Sequence, residues 1–462
     1  MLLQFTVENF LSFRETVTFS MVAAESEQRH LGHLVEDGHG HQVLPIAAIY
    51  GANGSGKSNF VMALAFAKHL ISEGTRVNQS IALRSFKLDS QNQKESGFEF
   101  IFSYKEVQYS YGFRLNSIQI TEEWLYCILP NEEQEILVFE RHTSLDKLTE
   151  VEYGDKLRES SKEREQFLNF IAEGTRHNQL FLTEATNRNV KELAEVYSWF
   201  NNSLVIISAE SDNKGLEFGA FVSEEFSDFL DLFLRKSGIG IDSILLEKTE
   251  LDAEKYFSTL PEPFRSELDQ AFSDADQDSM QVVEELSLGG RNFVFYKDKE
   301  NQISLIQLKT CRRNQEGNSI NFSLGEESDG TQRLINLSPI LFSIQGRDDI
   351  VFVLDELDRR LHPLLSQYFI KEIVSSRQPG SQFIFTTHDT NLLDLNRLRR
   401  DEIWFVEKGE YGDSSLYSLV EFKIKPDMAI DKGYLNGRFG AIPFLGDPGR
   451  LGWLDDGVGE SD

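Results

Sequence analysis

Cysteine is almost missing from this chain. Only Cys127 and Cys311 occur among 462 residues, which excludes a disulfide framework and leaves no Cys-based metal spacing. Long apolar runs are missing too. No stretch approaches the ~18 consecutive apolar residues of a membrane span. The start, MLLQFTVENFLSF, alternates apolar and polar residues and carries Glu8. It has neither the basic start nor the apolar stretch of a signal peptide, and a cytoplasmic protein is expected. Positive charge is scarce: 46 Lys and Arg stand against 75 Asp and Glu, for a net charge of −29. Such a surface repels nucleic acid on average, because DNA affinity rests largely on Lys and Arg neutralising phosphates. Local basic patches could form at Arg312–Arg313 and at Arg397, Arg399 and Arg400. Solvated helix faces or salt-bridged turns are the plainer reading of both.

What remains is a globular composition, 40% hydrophobic and 26% charged, with 36 Phe to build a core. The length suits two or three domains, or one core with a large insertion. Residues 2–7 and 15–21 alternate as strands do, and so does 97–153, which reads as an antiparallel sheet. Helices are expected to dominate from about 155 to 285, as in EEFSDFLDLFLRK and ELDQAF, before NFVFYKD and ISLIQLK return to strands.

Residues 51–58, GANGSGKS, fit the pattern G-x-x-x-x-G-K-[ST]. They follow the apolar strand 46–50 and precede a helical stretch, which is the context a phosphate-binding loop needs. Gly51, Asn53, Gly54, Ser55, Gly56 and Asn59 would wrap backbone N–H groups around phosphates. Lys57 would reach the β- and γ-phosphates of ATP, and the Ser58 hydroxyl would bind Mg²⁺. The helix that follows points its positive end at the same place.

Downstream, IVFVLDE (350–356) is a buried strand ending in two acids, where open α/β sheets place ligands. Asp355 would hold Mg²⁺ through water, and Glu356 would act as the general base on the attacking water. A second apolar strand, FIF (383–385), runs into TTHD, which puts His388 in reach of a γ-phosphate. Between them SLGEESDGTQRLINL (323–337) sets Ser328 and Gly330 in a turn before a helix, a second phosphate-binding element. The plainer reading is a helix N-cap by Ser328 or Asp329. One ATP hardly needs two such elements. Two facing chains do, each Ser328 capping the other's nucleotide, so a homodimer or larger homo-oligomer is expected.

The order of Gly51–Ser58, Ser328–Asp329–Gly330, Asp355–Glu356 and His388 resembles that of the ABC-type ATPases, in particular the RecF, OLD and SMC-like group. ENFLSF resembles their first strand and turn. DELDRRLHP resembles their Walker B and D-loop segment, with Asp358 at the D-loop position. RRDEIWFVEKG and YLNGRFGAIPFL resemble a subgroup common in prokaryotic antiphage defence, with the ATPase subunits of the PARIS and Septu systems as relatives. The resemblance covers roughly 1–80 and 320–445. It implies an α/β fold, an ABC-type P-loop ATPase core with a flanking antiparallel sheet and an inserted helical lobe. The implied domains are 1–184 and 321–445 for the core, 185–320 for the helical lobe and 446–462 for a flexible acidic tail.

The usual signature LSGGQ reads ESDGT here, with Asp329 for a Gly and Thr331 for a Gln, which weighs against fast turnover. Gln179 in NQLFLTEA is the candidate for the Q-loop. Residues 185–320 show no sustained heptads, so a compact lobe is expected instead of a long coiled coil. OLD relatives add a TOPRIM nuclease domain, for which residues 414–462 are too few. The resemblance therefore implies a regulatory ATPase partnered by a separate effector, such as a TOPRIM-type nuclease, and answering to a phage-encoded trigger. The competing readings are a RecF-like ATPase that clamps DNA and an ordinary phosphotransferase. The acids Asp274, Asp276, Asp278 and Glu285 have the spacing of a Ca²⁺ loop, but Ser279 stands where the turn requires Gly; a solvated acidic turn is expected.

Overall fold

The computed structural model describes residues 1–442 except 78, 90–93, 131, 133, 145, 159–161, 210–214, most of 253–281, 289–290, 299–301 and 425–428. The expected tail 446–462, the ELDQAF helix and the acidic turn at 274–278 lie outside the described residues. The chain divides into two compact units, Met1–Ile206 with Ile384–Asp462, and Ile207–Phe383. Among the described residues no helix is long and apolar enough to cross a membrane.

The first unit is mixed α/β. Its seven-stranded antiparallel sheet runs in the order Thr149–Tyr153, Ile136–Thr143, Ile120–Ile128, Val107–Leu115, Ser96–Tyr104, Leu2–Glu8, Val17–Ser20. The two-residue periodicity expected over 97–153 is realised there. Phenylalanine fills its inner face because alternate residues share a face. Phe5 pairs with both Phe19 and Phe100, and Phe98 pairs with Phe113. Phe60 meets the rings of Phe5 and Phe19 at 5.8 and 5.2 Å. Phe60 belongs to the Lys57–Glu73 helix, so this aromatic cluster fixes the helix that starts at the phosphate loop.

The Ile46–Tyr50 strand is buried at all five positions, as a strand covered on both faces must be. It lies parallel to Ile403–Lys408, which turns back antiparallel into Ser414–Ser418.

The second unit is α/β as well. Ser223 caps the Glu224–Lys236 helix by accepting from the Phe226 N–H, and that helix packs Phe226 and Phe229 on Phe342. Pro339 interrupts the Asp329–Gly346 helix. A proline inside a helix leaves the carbonyl four residues back without its N–H. The Ser338 hydroxyl donates to that carbonyl, of Ile335, at 2.6 Å.

Residues 185–320, expected to be mainly helical, also hold an antiparallel sheet whose strands begin at Ser243. The order is Ser243–Glu250, Ile303–Arg313, Arg291–Lys297, Val282–Leu288, with Ser319–Ser323 also paired to Ile303–Arg313. SILLEKTE and VVEELSL are rich in Glu, Leu and Lys, good helix formers in isolation. Cross-strand pairing overrides that preference.

Candidate nucleotide site

In the first unit the phosphate loop leaves the buried Ile46–Tyr50 strand and enters the Lys57–Glu73 helix. Gly51 can only be glycine. A Cβ there would stand 2.4 Å from the Val406 carbonyl and 2.5 Å from Ser55 Oγ. Gly54 and Gly56 take φ of +77° and +119°, backbone that other residues rarely adopt. No side chain caps the helix start, so its first N–H groups face the loop, as an anion site requires.

Lys57 is buried to 5% exposure. Its Nζ donates to the carbonyls of Gly51 at 2.8 Å and Ala52 at 3.1 Å, and lies 3.5 Å from Nδ1 of exposed His388. His388 follows the buried strand Gln382–Thr386, and Thr387 N–H donates to the Ile49 carbonyl at 3.0 Å. The loop lysine and the expected switch histidine thus meet. Asn53 and Gly54 are exposed at the loop tip, and Ser58 is half-buried on the helix. Asn59, expected among the nucleotide contacts, turns away: its amide donates to Ser12 Oγ at 2.7 Å. Ser12, Ser414 and Lys408 also touch the loop or its neighbours. Ser12 and Lys408 lie inside the quoted ENFLSF and RRDEIWFVEKG segments, but no role at the loop was read for them or for Ser414 from the sequence.

The second unit carries the other expected residues. The Val351–Leu354 strand is wholly buried and delivers Asp355, 6% exposed, and half-buried Glu356. Glu356 has φ +53° and Arg360 φ +64°, a costly backbone for residues with a Cβ that persists only where neighbours hold it. Arg333 does so at Glu356, donating from Nη2 to its carbonyl at 3.1 Å. Gly330 makes room for the same turn, since a Cβ there would stand 3.0 Å from the Arg360 carbonyl. Ser328 caps the Asp329–Gly346 helix, its Oγ accepting the Thr331 N–H at 3.3 Å. The plain N-cap reading therefore holds as far as it goes, and an N-cap hydroxyl also faces any anion at that helix end. Asp358 is half-buried within the turn.

Four of the five arginines of the basic clusters make internal pairs. Arg399 is wholly buried; it donates to both Asp401 oxygens at 2.8 and 2.7 Å and to the carbonyls of Arg29 and Glu27. Arg400 binds Glu27, Arg397 pairs with Asp394 and Arg312 with Glu327. Burial alone would raise the Glu27 carboxyl. The hydrogen bond from Arg400, the Arg29 N–H and the charges of both arginines instead hold it below the usual carboxylate range. Gln179 is equally committed, with its amide donating to Glu184 at 2.8 Å inside the first unit. Among the described residues no three His, Cys, Asp or Glu cluster as a metal cage. Mg²⁺ needs none, because it commonly takes one or two protein oxygens beside phosphates and waters.

A family model described as "AAA domain, putative AbiEii toxin, Type IV TA system" matches residues 46–394, a span that includes the loop, Ser328, Glu356 and His388. The chain belongs to this family. It carries an AAA domain of the AAA_21 group. Among solved structures it is similar to an SMC head bound to the C-terminal winged-helix domain of ScpA, at 13% identity and TM-score 0.41, over 90% of this chain and 97% of that one. It is similar also to the SMC head of Thermotoga maritima, at 12% identity and TM-score 0.36, over 92% and 99%. No curated protein matches.

Proposed function

We propose that this AAA_21 chain binds and slowly hydrolyses ATP as the regulatory subunit of a prokaryotic antiphage defence system, controlling a separate toxic effector. The observation that carries the catalytic part is the loop itself: Lys57 stands in a glycine-walled cradle against His388. Gly51–Ser58 is assigned to the phosphates, with Lys57 on the β- and γ-phosphates and His388 on the γ-phosphate. Ser58 and Asp355 are assigned to Mg²⁺, which when bound offsets charge developing on the phosphates. Glu356 takes the proton of the attacking water. Ser328, Gly330 and Asp358 are assigned to the nucleotide of a second copy, so the working form is a homodimer or larger ring.

The regulatory part rests on the toxin–antitoxin description of the family and on the likeness of RRDEIWFVEKG and YLNGRFGAIPFL to PARIS-type ATPase subunits. A TOPRIM-type nuclease is the effector that reading implies, released when a phage-encoded trigger arrives. The alternative DNA-clamping role is weakened by the internal pairing of Arg399, Arg400, Arg397 and Arg312. Co-expression with the product of the neighbouring gene tests the proposal. The two proteins should co-purify with ATP present, and cells carrying both should resist phage. Tight binding of duplex DNA that weakens steeply with salt, without any protein partner, would replace this reading by the DNA-clamping one.

A further inference from the structure

Behind the loop runs a chain of side-chain hydrogen bonds. Ser414 Oγ lies 2.5 Å from the Ser55 carbonyl and 2.8 Å from Ser12 Oγ, and Asn59 Nδ2 lies 2.7 Å from Ser12 Oγ. Each hydroxyl has one proton. The Ser55 carbonyl only accepts, so Ser414 donates to it. Ser414 is the donor toward Ser12 as well, so its one proton is shared between the Ser55 carbonyl and Ser12 Oγ, and Asn59 also donates to Ser12. The path starts on the helix at Asn59, leaves the motif for two distant segments and returns to the loop at Ser55. Ser414 and Ser12 are buried, and the Ser414 N–H donates to the Ser12 carbonyl at 2.7 Å. Gly56 leaves the space for both hydroxyls, since a Cβ there would stand 2.4 Å from Ser414 Oγ and 2.8 Å from Ser12 Oγ.

We infer that Ser414 and Ser12 are positioning residues that aim the Gly56 N–H at the bound phosphates. The inference rests on the assignment of the loop to ATP. Every peptide bond described is trans, and in a trans peptide C=O and N–H point in opposite directions. Fixing the Ser55 carbonyl outward toward Ser414 turns the Gly56 N–H the other way, into the loop. Without the pin, this peptide can rotate about its flanking bonds, and the N–H must be re-aimed at each binding event. Ser12 is the common acceptor of Ser414 and Asn59, so losing either serine breaks the link between the helix and the loop. Lys408 Nζ, at the end of the strand that turns back into Ser414, adds a second pin on the Gly54 carbonyl at 3.3 Å.

The test uses the full chain, with ATP and inorganic tripolyphosphate as probes, the second lacking a base. Ser414→Ala should weaken both by roughly five- to tenfold, the worth of one well-placed hydrogen bond. The loss should appear in KM for ATP and not in kcat, as for binding shared by ground and transition states. Ser12→Ala should do the same, and the double variant should be little worse than Ser414→Ala, because one path is cut only once. Should Ser414→Ala fail to fold, Ser12→Ala carries the same measurement. Unchanged tripolyphosphate affinity in either folded variant overturns the inference. So does a fall in kcat at constant KM, or fully additive losses. Failure of the wild-type protein to bind ATP would overturn the loop assignment instead.

Discussion

Lys57 Nζ and His388 Nδ1 stand 3.5 Å apart across 331 residues of sequence. The loop's cation and the His388 ring thus stand together beside the proposed γ-phosphate position. Lys57→Ala should abolish ATP binding, because the loop loses its charged ligand. The nucleotide-induced rise in melting temperature, worth ~2.7 kcal/mol at 100 Kd, should vanish with it. His388→Ala should keep that rise and lose turnover by about 10²–10³-fold, the usual cost of one transition-state donor. Equal thermal protection of wild type and Lys57→Ala would remove the loop from nucleotide binding.

The parts of the site written in consecutive residues were legible in the sequence. A glycine-rich loop between a strand and a helix is local, and so is an apolar strand ending in Asp355–Glu356. The pattern required Gly51 and Gly56, and the space around them shows why. The parts assembled across the chain were not legible. Ser12 sits in ENFLSF, yet nothing there ties it to the loop, and nothing marks Ser414, until folding brings them within 2.8 Å. Arg333 likewise gives no sign in the sequence that it holds the Glu356 carbonyl. The misread strands Ser243–Glu250 and Val282–Leu288 have a different cause: they are built largely from helix-forming residues, and only their partners decide the outcome.

Glu123 and Arg141 make a buried ion pair at 3.2 Å, both side chains wholly shielded. Glu123 also accepts the Tyr111 hydroxyl at 3.0 Å and the N–H groups of Phe181 and Leu182 at 2.6 and 2.9 Å. The pair therefore ties the antiparallel sheet to the segment that follows Gln179. Removing one partner leaves a charge buried alone, which costs about 3–5 kcal/mol. Arg141→Met should lower the unfolding free energy measured in urea by that much, while Arg141→Met with Glu123→Gln should recover part of it. A single variant as stable as wild type would show that water reaches the pair.

Ser328 should act on the nucleotide of another copy. Ser328→Arg loses the helix cap, at about 1 kcal/mol, and fills the turn with a long cation. It should still bind ATP yet not hydrolyse it. Mixed with Lys57→Ala protein it should regain part of the activity, since a mixed dimer keeps one intact loop facing one intact Ser328. The readout is phosphate release across mixing ratios. A flat, inactive line would count against shared sites.

Glu356→Gln should bind ATP normally and turn it over slowly. The carboxylate is assigned to accept the water's proton, and a positioned general base contributes ~10²–10⁴-fold. The amide keeps the shape and cannot take the proton. The backbone should tolerate the change, because Arg333 holds the turn with its +53° φ through the Glu356 carbonyl, which the variant keeps. The variant should therefore accumulate in the ATP-bound state, seen as a nucleotide-dependent increase in size on a column. If effector release requires hydrolysis, cells carrying this variant should lose phage protection while the two proteins still co-purify. Phosphate release and partner retention are to be measured on the same preparation. Turnover near the wild-type rate would remove Glu356 as the base. Loss of the partner with ATP binding intact would separate holding of the effector from the ATP-bound state, and the regulatory role would have to rest on another step.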